Sequence, residues 1–117
     1  MAIEVGRDAF EEIVARALDL VPPELADRID NVVVLVVDEP PPGQRLLGLY
    51  EGVPLTARGA GSYAGYLPDT ITIFRGPIER MCNTFEELLE QVRITVIHEI
   101  GHFFGIGDDR LHELGYG

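Results

Sequence analysis

The 117-residue chain is poor in basic residues, which limits the partners it can have. Nine lysines and arginines stand against 20 aspartates and glutamates, giving a formal net charge of -11. The resulting field repels phosphate backbones, and the basic residues are scattered along the sequence rather than clustered. Nucleic acid is therefore not expected as a partner.

The sequence also has little cysteine and no long apolar run. Cys82 alone cannot form an intramolecular disulfide, which is typical of a reducing compartment. No stretch of about 18 apolar residues occurs, and the N-terminus lacks the basic start and apolar core of a signal peptide. We expect a cytoplasmic protein without membrane association. No basic pattern surrounds Cys82, so a structural thiol is expected rather than a nucleophile or an inhibitory thiolate.

An amphipathic helix is predicted near the N-terminus. Asp8 and Glu11 have the spacing of a capping box, and the helical period continues until Pro22 and Pro23 stop it. The apolar positions of this helix are Phe10, Ile13, Val14, Ala17, Leu18 and Val21.

Three segments in the middle of the chain have the character of strands. The run Val32 to Val37 is entirely apolar, which predicts a central strand buried on both faces. Leu46 to Tyr50 predicts a second strand, and the alternating segment Thr70 to Phe74 predicts a third at a sheet edge. The glycine-rich stretch Thr56 to Gly65 is expected to be a mobile loop rather than a phosphate cradle, because no capped helix follows it.

A second long helix is predicted from Thr84 to near Gly105. Thr84 and Glu87 have capping-box spacing, and Gly105 suits the left-handed conformation that ends a helix. With the strands grouped between two helices, we expect an α+β fold in a single domain covering residues 1–117.

This second helix contains the motif that carries the chemistry, H-E-x-x-H, as His98, Glu99 and His102. Chance placement in a chain of this composition produces the motif roughly once in a hundred cases. Histidines four residues apart lie one helical turn apart on one face, so both imidazoles can reach one metal ion. Imidazole and carboxylate ligands with one open position favour catalytic Zn²⁺.

The third ligand is expected to come from the segment after the helix. Gly105 can turn the chain sharply, so that Asp108 returns towards the metal. Two alternatives remain open. Asp108 would be an ordinary N-cap of the following turn in the first, and His112 would be the third ligand in the second. Glu99 need not bind the metal; its role would be to take a proton from the activated water and pass it to the leaving amine.

The residues His98, Glu99, His102, Gly105 and Asp108 resemble the extended signature H-E-x-x-H-x-x-G-x-x-[HD] of zinc metallopeptidases, in its Asp form. Together with the preceding segment PDTITIFRGPIERM, the chain is similar to a family of very small bacterial proteins with a minimal zincin-like fold. The resemblance implies a mixed sheet packed against an N-terminal helix and a C-terminal active-site helix. It also implies that a peptide substrate pairs with an edge strand, for which Thr70 to Phe74 is the candidate.

The hypothesis from the sequence is a zinc metallopeptidase that acts on a peptide or protein substrate. The methionine turn of metzincins is absent after the motif, and Glu113 lies too close to serve as the distant glutamate ligand of other zincins. The alternative is therefore a zinc-binding module of zincin fold with little or no turnover that acts in a protein complex. The sequence does not indicate the oligomeric state.

Overall fold

A computed structural model describes residues 3–27, 29, 31–52 and 68–115. The helices are α1 (Arg7–Asp19), α2 (Pro23–Ala26), α3 (Arg75–Arg80), α4 (Phe85–Phe103) and α5 (Asp108–Glu113), and the strands are β1 (Val32–Val37), β2 (Gly48–Glu51) and β3 (Asp69–Phe74). Within these residues, no helix combines the length and the apolar character that crossing a bilayer requires. The stretch Thr56 to Gly65, for which a mobile loop was expected, lies outside the described residues.

The three strands form one mixed sheet in the order β1-β3-β2. β1 runs parallel to β3, with Val36 opposite Ile73, and β2 runs antiparallel to β3, with Gly48 opposite the same Ile73. Helices and a small mixed sheet pack together, which confirms the α+β class.

The expectation that β1 is central and buried on both faces is wrong. β1 pairs only with β3 among the described strands, and Val33, Leu35 and Val37 are exposed while Val36 is buried. An unbroken apolar run predicts a strand well, but it does not say which face is covered, because every position is apolar.

The expectation that Thr70 to Phe74 lies at the sheet edge is also wrong. β3 has a neighbour on each side, and Ile71, Ile73 and Phe74 are buried. Its backbone groups are used by β1 and β2, so a substrate cannot add to this strand. The threonines suggested a solvated face, yet Thr72 is buried as well.

The core lies between the sheet and the two long helices, with α1 packed across α4. The buried apolar residues that form it come from every layer: Phe10, Ile13, Val14, Ala17, Val21, Val36, Ile71, Ile73, Ile78, Cys82, Leu88, Val92, Val96 and Ile100. The apolar stripe of α4 therefore anchors this helix from its first turns to the motif.

The helix ends follow the sequence prediction only in part. The capping box at Thr84 is present: the Thr84 side chain accepts a hydrogen bond from the Glu87 N–H, and the Glu87 side chain accepts one from the Thr84 N–H. At α1 the expected capping box is absent: the helix begins at Arg7, with Gly6 as N-cap and no side-chain cap. The short helices α2 and α3 have no clear period, and sequence patterning did not predict them.

Cys82 is buried in the core, and its backbone carbonyl accepts a hydrogen bond from the Ile3 N–H. Burial raises the pKa of the Cys82 thiol, and the nearby Glu87 acts in the same direction. Both features fit the structural thiol expected from the sequence, because a reactive cysteine needs a lowered pKa and access to solvent.

Candidate metal centre

The C-terminal half of α4 brings the two motif histidines together. His98 and His102 lie one turn apart, their Nε2 atoms are 3.1 Å from each other, and both side chains are about one quarter exposed, at 23% and 27%. The buried stripe of α4 faces the core, so the helix presents the imidazoles on a different side.

The chain turns sharply just after His102. The Ile106 N–H donates to the Gly101 carbonyl and the Gly105 N–H donates to the His102 carbonyl, each at 2.9 Å. This pair of bonds is a Schellman motif, and Gly105 has the positive φ of 85° that the motif requires. Gly105 therefore has the turning role expected from the sequence.

The turn leads directly into α5 and brings Asp108 back to the histidines. Asp108 is the first residue of α5, and Gly107 is the N-cap of this helix. The Asp108 side chain therefore does not cap α5. Its Oδ1 atom lies 3.3 Å from His98 Nε2 and 3.0 Å from His102 Nε2. His112 is exposed on the same helix and does not belong to this group.

The spacing of these three atoms fits a small tetrahedral ion. At zinc–ligand distances of about 2.0–2.1 Å, ligand atoms at the corners of a tetrahedron lie about 3.3–3.4 Å apart. The three observed separations, 3.0, 3.1 and 3.3 Å, are close to this value. The donor set is two imidazoles and one carboxylate, a combination found at catalytic zinc.

The ring orientation of His102 also suits a metal ligand. Its Nδ1 atom lies 3.1 Å from the Ile106 carbonyl oxygen. An N–H at Nδ1 that donates to this carbonyl leaves the Nε2 lone pair directed at the common point. Sequence analysis missed Ile106 because the contribution comes from its backbone and not from its side chain.

Glu99 lies beside this group, and it is buried, with 6% of its surface exposed. Burial raises the pKa of Glu99, while His98, His102 and a hydrogen bond from the Tyr50 backbone N–H oppose the rise. A carboxylate with a raised pKa is a stronger base than an ordinary one.

Strand β2 lies directly against this part of α4. A Cβ atom on Gly48 would stand 3.0 Å from Thr95 Cγ2 and 3.1 Å from Glu99 Cγ, so the glycine permits the close approach. Sequence analysis did not single out Gly48 or Tyr50, because no motif marks them.

Comparison with known proteins agrees with this geometry. A family model for zincin-like metallopeptidases matches residues 29–117. The chain belongs to this family. It is also similar to the structure of a conserved hypothetical protein from T. thermophilus, with a TM-score of 0.57 and 26% identity over 92% of this chain and 95% of that chain. No curated protein matches the sequence.

In this member of the zincin-like family, a cavity of about 200 Å³ opens beside His98 and Glu99. Residues 45–48, which lead into β2, bound one side, and α4 bounds the other with Gln91, Ile94 and Thr95. The cavity therefore adjoins the group of His98, His102 and Asp108 through His98.

Proposed function

We propose that the chain is a zinc-dependent peptidase in which His98, His102 and Asp108 bind the metal and Glu99 is the general base. The observation that carries the proposal is the convergence of three ligand atoms within 3.3 Å of one another beside a buried glutamate. Membership of the zincin-like metallopeptidases supports the reaction class.

The bound metal would act as a Lewis acid that polarises the peptide carbonyl and makes water more acidic. Glu99 would accept a proton from the attacking water and deliver it to the leaving amine. The Tyr50 N–H, which donates to the Glu99 carboxylate, would hold that carboxylate in one orientation during both transfers. Burial of Glu99 would favour proton uptake, because desolvation makes the charged form less stable.

The substrate would lie in extended form along β2. The Phe74 N–H donates to the Leu47 carbonyl, so alternation along the strand directs the backbone groups of Leu49 towards β3 and those of Gly48 and Tyr50 away from it. Among the described strands β2 pairs only with β3, and its other edge lies on the side of Glu99. A peptide could hydrogen-bond to Gly48 there, which moves the expected strand addition from β3 to β2.

A proteome-derived peptide library tests the proposal. The zinc-loaded protein should cleave library peptides, and Glu99→Gln should bind zinc equally well but lose a factor on the order of 10² to 10⁴ in rate. A zinc-loaded protein that cleaves nothing would favour the alternative, a zinc-binding module without turnover. Equal rates for the wild type and the Gln variant would remove Glu99 from the mechanism.

A further inference from the structure

The cavity beside His98 and Glu99 has the size of a single side chain. At about 200 Å³ it is smaller than the roughly 300–1,000 Å³ of sites that enclose a whole small-molecule ligand. Because His98 and Glu99 form part of its wall, a side chain that fills it must belong to a residue close to the reacting bond.

Arg45 is on the wall of this cavity and has an unusual electrostatic position. Every other arginine in the described part of the chain forms an ion pair with a carboxylate; these are Arg7, Arg16, Arg75, Arg80, Arg93 and Arg110. Arg45 has no such partner among the described residues. In a chain with a net charge of -11, acidic side chains are abundant, so an arginine without one presents a positive charge that is available to a ligand.

The rest of the lining suits a side chain with an apolar stem and a polar end. Leu46 and Ile94 supply apolar surface, and Gln91 adds an amide. Arg45 is exposed whereas Glu99 is buried, so the positive charge lies on the solvent side of the cavity and the base on the inner side. The methylene groups of a glutamate would contact the apolar wall while its carboxylate binds the Arg45 guanidinium.

We propose that this cavity is a specificity subsite for an acidic residue adjacent to the cleaved bond, and that Arg45 is the residue that selects it. The proposal rests on the proposed peptidase function only in assuming that the cleaved peptide bond lies beside His98 and Glu99. Selection of the side chain depends on charge complementarity, and it can be measured as binding without any turnover.

The test uses two short peptide hydroxamates, which bind zinc, that differ only in having Glu or Gln next to the hydroxamate. Dissociation constants are measured by calorimetry on the zinc-loaded protein and on Arg45→Gln, Arg45→Glu and Arg45→Lys. The Glu peptide should bind the wild type about fivefold more tightly than the Gln peptide, the preference expected for an exposed ion pair. Added salt should reduce the preference.

The variants separate charge from general damage. Arg45→Lys should keep the preference, Arg45→Gln should abolish it and Arg45→Glu should reverse it. Arg16→Glu changes the net charge by the same amount as Arg45→Glu, but on α1, where Arg16 pairs with Glu12. This control variant should leave the preference unchanged. Zinc content and melting temperature are measured on each variant to verify folding.

Equal affinity of the wild type for the two peptides would overturn the proposal, as would a preference that survives in Arg45→Glu or an absence of binding by both peptides. Failure of the peptidase function gives a different result. In that case the Arg45-dependent preference for Glu is observed, but the corresponding peptide substrates are not cleaved. Cleavage of peptides without any preference for Glu next to the cleaved bond would contradict the subsite but not the peptidase function.

Discussion

Leu111 of α5 packs directly on Gly101 of α4, which precedes His102 in the motif. A Cβ atom on residue 101 would stand 2.5 Å from Leu111 Cδ2, and Leu111 is buried. Asp108 is in the first turn of the same helix, so the close packing of Leu111 on Gly101 allows α5 to lie near α4 with the Asp108 carboxylate within 3.3 Å of His98 and His102. The glycine inside the motif thus permits Asp108 to approach the two histidines.

Gly101→Ala should weaken zinc binding more than it weakens the fold. The added methyl group improves helix propensity by about 1 kcal/mol, whereas overpacking against Leu111 costs about 1–3 kcal/mol. The displaced α5 would carry Asp108 with it, and we expect zinc affinity to fall about tenfold. Competition with a chelator measures the affinity, and thermal unfolding of the metal-free protein measures the stability.

The matched control is Gly107→Ala, at the N-cap of α5. Gly107 has a negative φ of -78°, and no heavy atom lies within 4 Å of the Cβ position. Zinc affinity in this variant should remain close to that of the wild type. If Gly101→Ala and Gly107→Ala bind zinc equally well, packing of Leu111 on residue 101 does not position the ligand.

Asp108→Ala should reduce zinc affinity by more than about 100-fold, because it removes a carboxylate that lies within 3.3 Å of both imidazoles. His112→Ala should leave the affinity almost unchanged, since His112 is exposed and outside the group. Isothermal titration of both variants makes the comparison. The reverse order of effects would identify His112 as the third ligand.

Glu99→Gln should stabilise the metal-free protein at neutral pH. Burial raises the pKa of Glu99 above its ordinary value of 4.5, so the folded state holds this proton more tightly than the unfolded state. The protonated Glu99 carboxyl therefore contributes to the stability of the folded state below pH 4.5, and this contribution is lost as the pH rises through the folded-state pKa. The variant should therefore gain stability relative to the wild type as the pH increases, as measured by melting temperature.

Glu90→Gln on the same helix provides a control of opposite sign. The ion pair with Arg93 lowers the pKa of Glu90, so this carboxylate contributes stability that is lost as the pH falls. Its replacement should cause a small loss at neutral pH, because the pair is exposed. A Glu99→Gln variant that follows the same trend as Glu90→Gln would contradict the burial of Glu99 in the metal-free state.

The motif helix was predictable from the sequence because its signals are local. The capping box at Thr84, the apolar period of α4 and the terminating Gly105 each depend on residues at most five positions apart. The same holds for the spacing of His98 and His102, which helical geometry places on one face. The fold also brings Asp108 to the histidines, although its role as a ligand remains a prediction.

The arrangement of the strands was not predictable in the same way, because it depends on pairings distant in sequence. Both β1 and β3 are apolar enough to be the central strand, and only the order of strands in the sheet shows which of the two is central. The contributions of Gly48 and Tyr50 to the site likewise follow from the packing of β2 on α4. Such contacts leave no periodic pattern in the sequence.

Native mass spectrometry of the purified protein after reconstitution with zinc at neutral pH tests the metal centre most directly. We expect about one zinc ion per chain, since two imidazoles and one carboxylate leave one open position on a tetrahedral ion. His98→Ala and His102→Ala should each lose it. A wild-type protein that contains no zinc under these conditions, or variants that retain it in full, would contradict the assignment of the site.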